Sequence, residues 1–255
     1  MNYHTPVAVA LILSLLAGLS TGIGSMLSLF LGGLRRSHLQ FSLGLSTGVM
    51  VYVSLVELLP QAIETIGFLW GNTAFFGGIF FIMAIDFLIP HEYIEERMDE
   101  NVKDAKMMKT GILMTLGIAI HNFPEGLAVF MSSVGDLRLG IPLAVAIAIH
   151  NIPEGIAIAA PVYHATHSRR KAFWYSFLSG MAEPVAAGLA ALLLLPYLTP
   201  ALLACCLAFV AGIMVFISFD ELLPLSFAQN GYHISIIGIL AGMFVMALSL
   251  LLVTR

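Results

Sequence analysis

Eight apolar stretches run along this chain, near residues 6–31, 40–61, 72–90, 110–132, 139–161, 171–195, 201–224 and 233–253. Each is long enough to cross the roughly 30 Å hydrocarbon core of a bilayer as an α-helix, which takes about 20 residues. In hydrocarbon every backbone N–H and C=O must be satisfied within its own segment, so such stretches are confined to helices. Composition agrees: 59% of residues are apolar and 10% charged, against about 25% charged in a soluble domain. The expected fold is an all-α integral membrane protein with eight transmembrane helices, a single domain over residues 1–255. The first apolar run, from Pro6 to Leu34, has no basic lead-in and exceeds the core of a signal peptide, so it is expected to be a retained helix.

The loops set the orientation. Arg35 and Arg36 fall between spans one and two. Arg97, Lys103, Lys106 and Lys109 fall between three and four, and Arg169, Arg170 and Lys171 between five and six. Short loops rich in Lys and Arg stay on the cytoplasmic side. Only Arg138 and Arg255 are then outside, and both termini are expected to face the exterior. Cys205 and Cys206 are the only cysteines and are adjacent, so they offer no disulfide framework and are read as reduced packing residues. Small-residue spacings at Gly18/Gly22 and Gly44/Gly48 suit close helix packing, either within one chain or across a homodimer. The other expected partners are the lipid bilayer and metal ions, with no nucleic acid.

Within this apolar background one polar phrase occurs twice, as IHNFPEG at 120–126 and IHNIPEG at 149–155. On a helix, positions i and i+4 share a face, so His121 sits with Glu125 and His150 with Glu154. Asn122 and Asn151 add an amide oxygen at the edge of that face. Pro124 and Pro153 deprive the carbonyls of Ile120 and Ile149 of their helical partner, and Gly126 and Gly155 let a neighbour approach. Both phrases fall near the middle of their spans, where ionisable groups are most expensive and therefore functional by default. A third midspan carboxylate, Glu183 in MAEPVAAG, also precedes a proline. Each His–Glu pair can be read as a hydrogen bond that glues helices together. Several carboxylates at one depth would repel one another or stay protonated without a cation, and this favours a cage for a divalent metal of borderline softness.

A second echo, VELLP at 56–60 and DELLP at 220–224, places Glu57 near the outer end of span two and Asp220 and Glu221 near the inner end of span seven. Copies pointing oppositely across the membrane are the mark of inverted repeats, with the binding site at the midplane between them. Spans one to three would pair with six to eight around a central pair, four and five. Glu57 would attract a cation at the outer mouth, while Asp86, Asp220 and Glu221 would receive it on the inner side; solvation at helix ends is the plainer reading of these acids. The loop histidines His38, His91, His164 and His167, with His4 and His233, are read as solvated.

Taken together, the HNFPEG and HNIPEG phrases and the eight spans resemble the zinc–iron permease (ZIP) family of divalent-metal transporters, over essentially the whole chain. The short length and the absence of a long histidine-rich loop are similar to a bacterial type within that family. The resemblance implies a transmembrane transporter domain in the cytoplasmic (inner) membrane that moves metal into the cytoplasm, zinc commonly and iron, manganese, cobalt or cadmium besides. It also implies a midmembrane site of one or two metals on His121, Asn122, Glu125, His150, Asn151, Glu154 and Glu183, with Glu154 as the bridging ligand where two ions bind. No catalytic cofactor is expected, the metals being cargo. A metal-selective channel is the main alternative. An intramembrane hydrolase would need a string such as H-E-x-x-H, which the chain lacks, so an enzyme is not expected.

Overall fold

The computed structural model describes residues 4–30, 36–87, 104–197, 199–227 and 232–253. Within these, the side chains of His121, Asp86 and His164 lie outside the described residues, as do the loop carrying His91, Arg97 and Lys103, the side chain of His4, and Arg35 and Arg255. All described secondary structure is helical, in eight runs. Span one is His4–Phe30. Span two is Arg36–Val53, a widened turn at Ser54–Leu58, and Leu59–Ile66. Span three is Phe68–Asp86, span four Asp104–Gly135 and span five Leu137–Thr166. Span six is Arg169–Gly180 followed by Ala182–Leu193. Span seven is Pro200–Ile217, a widened turn at Ser218–Leu222, and Leu223–Phe227; span eight is Tyr232–Val253. Seven of these runs are long and apolar enough to cross a bilayer among the described residues. The fourth, 32 residues long, has the length but opens on the charged turn of Asp104, Lys106 and Lys109 and carries the polar phrase at its middle.

Local chemistry explains where the helices bend and stop. Gly67, with φ of 85°, makes the sharp joint between spans two and three, a conformation open to glycine at no steric cost. Asp136 caps span five by accepting from the Arg138 N–H at 2.9 Å, Ser168 caps span six through Lys171 N–H, and Thr199 caps span seven through Leu202 N–H; each satisfies an otherwise orphaned donor. Span six breaks at Met181, three residues before Pro184. The VELLP and DELLP echoes share one irregularity. Leu59 N–H reaches back to Ser54 O and Leu223 N–H to Ser218 O, five residues each time. Pro60 and Pro224 would clash with the carbonyl four residues back in a regular helix, and a π-turn displaces that carbonyl.

Packing sorts the spans into two groups of four. Spans one, four, five and six all pack on one another, and spans two, three, seven and eight form a second group joined through spans two and seven. Across the boundary, span two meets five, four meets seven, and five meets eight. Within the second group, span two lies along eight and span seven along three; exchanging spans one to three with six to eight turns the first pairing into the second.

The seams inside each group are backbone to backbone. A Cβ placed on Gly155 would fall 1.9 Å from Thr21 O, one on Gly48 2.0 Å from Ile239 O, and one on Gly78 1.9 Å from Phe209 O. Gly18 lies against Gly180 of span six and Gly44 against Ser235 of span eight. Both small-residue spacings flagged in the sequence therefore seat helices of the same chain. Lipid supplies no hydrophobic driving force between helices, so close packing of this kind is a main source of cohesion in a membrane bundle.

Candidate metal centre

The twin phrase lies at the heart of the first group. Asn122, Glu125, His150, Asn151, Glu154 and Glu183 are all 0% exposed. The glycines that close the two phrases are structural: Gly155 lies on span one, and a Cβ on Gly126 would fall 2.2 Å from the backbone oxygen of Glu183. Each phrase thus supplies its ligand candidates and the gap that lets the neighbouring helix come close enough to meet them.

Glu125, His150 and Glu154 each offer one ligand atom, and these three atoms lie within 4.8 Å of one another. The i, i+4 spacing put His121 with Glu125 and His150 with Glu154. The fold adds a pairing that this spacing does not show, because His150 Nε2 stands 2.9 Å from Glu125 Oε1 across spans four and five. An imidazole and carboxylates that converge in a dry interior are costly unless a proton or a cation is shared among them. The donor set, imidazole nitrogen and carboxylate oxygen, suits zinc and its neighbours in the first transition row.

The amides act as ties. Asn151 donates through Nδ2 to Ala17 O of span one at 3.0 Å and to Glu183 Oε1 of span six. Asn122 donates through Nδ2 to Ser179 O of span six at 3.2 Å. The Oδ1 atoms of both are buried and have no hydrogen-bond partner among the described residues. Two amide oxygens are thus held rigidly by their own NH2 groups with acceptor capacity left over, as neutral metal ligands require. Glu183 is drawn to the site by Asn151. The ring of His121 belongs to the side chains not described.

On the second group, Glu57 is half-buried at the widened turn of span two, and Asp220 and Glu221 are half-buried at that of span seven. A Cβ on Gly117 would fall 3.8 Å from a carboxylate oxygen of Glu221. Gly117 precedes His121 by one helical turn, so Glu221 faces span four one turn away from the phrase. One residue escaped the sequence reading. Ser46 of span two, buried, donates from Oγ to Glu154 Oε1 at 3.3 Å. A serine between two packing glycines, in GLSTG, carries no signal of its own in a sequence.

A bundle of bilayer-crossing helices closed around a buried carboxylate–imidazole cluster defines the class: a multi-pass helical membrane protein whose described interior holds convergent ionisable side chains. The family model for the ZIP zinc transporters matches residues 90–250. Proteins named "Zinc transporter ZupT" are similar over nearly the whole length: that of Chlorobium phaeovibrioides is 56% identical, with 95% of this chain and 97% of the relative aligned. That of Akkermansia muciniphila is 48% identical (96% and 97%), and that of Streptococcus mutans 47% identical (95% and 97%). The chain belongs to the ZIP family.

Proposed function

We propose that this chain carries divalent metal cations across the cytoplasmic membrane into the cytoplasm, with zinc as its principal cargo and iron, manganese, cobalt and cadmium as further substrates. The observation that carries this reading is the convergence of Glu125, His150 and Glu154 within 4.8 Å, wholly buried, from two adjacent spans. Membership of a family of zinc transporters, and relatives bearing that name, support the cargo. His121, Asn122, Asn151 and Glu183 complete the proposed cage, with Glu154 as the bridging ligand for a second ion. The softness of nitrogen and oxygen donors without thiolate admits the neighbours of zinc.

In this reading a hydrated cation sheds water at an outer mouth near Glu57, is held in the cage, and leaves past Asp86, Asp220 and Glu221. The matching turns of spans two and seven, and the exchangeable pairings of two with eight and seven with three, support an inverted repeat of spans one to three and six to eight around four and five. The whole chain then works as one transporter domain in the inner membrane, both termini outside, as the basic loops favour. Imidazoles bind metal neutral and carboxylates ionised, so loading expels protons and the 2.9 Å contact between His150 and Glu125 re-forms on release. No covalent step is involved, and the protein is not an enzyme.

The test is zinc uptake into proteoliposomes by the native chain, Glu154→Ala and His121→Ala. Loss of uptake in both folded variants supports the cage; persistence in both makes the phrases packing devices. Saturable, strongly temperature-dependent uptake would mark a carrier, whereas a metal-selective channel would pass current without saturation at low concentration.

A further inference from the structure

Span six opens on three consecutive cations. Arg169, Arg170 and Lys171 are all exposed in its first turn, which contains no acid. None of the three is paired with a carboxylate among the described residues. Side by side they repel one another, and the positive end of the helix dipole opposes them as well. The turn's own N–H is already satisfied by the Ser168 cap, so the backbone itself offers no anion site here. Retention on the cytoplasmic side accounts for cations in the loop, but it makes no demand on what stands next to them.

What stands next to them is aromatic. Ala172, Ser176 and Ser179 turn inward and are buried, which leaves Arg170, Trp174 and Leu178, spaced i, i+4 and i+8, facing out. Phe173 and Phe177 hold the indole of Trp174 in place, with ring centroids 5.7 and 5.4 Å from it. Those two rings stack on each other at 5.6 Å and rest against Gly22 of span one. One stripe of the helix therefore presents guanidinium, then indole, then aliphatic surface. That is the order in which a phospholipid presents phosphate, interface and tail. A free inorganic anion would match only the first part.

We propose that Arg169, Arg170, Lys171 and Trp174 form a binding site for the headgroup of an anionic phospholipid, whose tail lies along Leu178. The guanidinium fork takes phosphate oxygens in pairs, and the indole N–H is a further donor. The patch belongs to the helix group that holds the candidate metal centre. Ser176, on the same helix, donates to Gly155 O at the end of the second phrase at 3.2 Å. A bound lipid thus anchors that group to the membrane surface. The inference goes beyond the transport reading and stands without it.

Trp70→Phe leaves Trp174 as the sole tryptophan of the full chain. Its fluorescence is read in metal-free phosphatidylcholine vesicles that contain a minor fraction of lipid with brominated chains, under either a phosphatidylglycerol or a phosphatidylcholine headgroup. The brominated phosphatidylglycerol should quench at an about tenfold lower mole fraction. Arg169→Gln, Arg170→Gln and Lys171→Gln together should remove that preference. Where the triple variant fails to insert, the Trp70→Phe parent decides: raising salt from about 0.05 to 0.5 M should cut the preference severalfold, because exposed charges are screened. Equal quenching by the two headgroups in the parent overturns the proposal, and so does a preference that survives both the substitutions and the salt. The rival occupant is the chain's own acidic stretch from Glu92 to Glu100, expected in a loop on the same side. A preference that emerges only after Glu95→Gln, Glu96→Gln, Asp99→Asn and Glu100→Gln assigns the cations to that stretch and sinks the lipid site.

Discussion

The two helix groups are built with the same grammar and filled differently. Both are sewn by glycines set against carbonyl oxygens, at Gly155 and Thr21 in one and at Gly48 and Ile239 in the other. Yet the fully buried glutamates and histidine of the described residues all belong to spans four, five and six. The buried polar residues of spans two, three, seven and eight are hydroxyls and one amide: Gln40, Ser46, Thr47, Ser54, Ser218, Ser226 and Ser235. The second group also supplies half-buried acids at its two widened turns. Close backbone packing is common to both groups, whereas the buried ionisable side chains described are confined to one. In the proposed transport cycle this keeps the proposed strong ligands on one body.

This contrast is open to attack in order of effect. The largest is expected from the proposed ligands: Glu125→Ala or Glu154→Ala should lower zinc uptake by more than about 100-fold, beyond what loss of a residue that merely supports a ligand causes. Met50→Leu, an equally buried change in the second group, should keep most of its uptake, because such swaps conserve volume. Comparable losses in both would erase the distinction. Next comes acidity. Since protons compete for imidazole, zinc affinity should fall as pH drops from about 7.5 to 5.5, where histidine titrates; the binding isotherm at each pH measures it, and a flat profile contradicts the exchange of metal for protons.

A third comparison concerns the seams. Gly155→Val forces side-chain atoms into Thr21 O and should lower the unfolding temperature in detergent by an amount equivalent to about 1–3 kcal/mol. Gly48→Val should do the same in the other group. Gly117→Ala, at the boundary between groups, meets a carboxylate oxygen of Glu221 only at 3.8 Å and should be neutral or gain up to about 1 kcal/mol from helix propensity. On stability alone, Asn122→Ala removes the tie to Ser179 O at a cost of about 1 kcal/mol, read by thermal melting. Equal melting temperatures for Gly117→Ala and Gly155→Val would show that the boundary is as tightly sewn as the groups themselves.

Much of this was legible from the chain alone. The number of spans, the helical class, the ionisable phrases at midspan and the shared VELLP and DELLP echo follow from local rules. Hydrocarbon forbids unsatisfied backbone, and a proline disturbs the helix wherever it stands, so residues a few positions apart suffice. The spacing i, i+4 likewise gave ligand candidates on each helix, and the structure brings Glu125, His150 and Glu154 together. What no spacing could supply was which helices touch. The His150–Glu125 contact joins spans four and five, Asn151 reaches Glu183 and span one at once, and Ser46 arrives from a helix with no polar phrase. Those meetings depend on glycine seams that let two backbones come within van der Waals contact, and a glycine in a sequence does not name the carbonyl it will face. The sequence by itself determined the eight-span helical class and the chemistry of the candidate ligands. Only the tertiary structure decided their partners and the division into two groups, because interhelical packing in lipid is settled by shape complementarity between whole surfaces rather than by any local pattern.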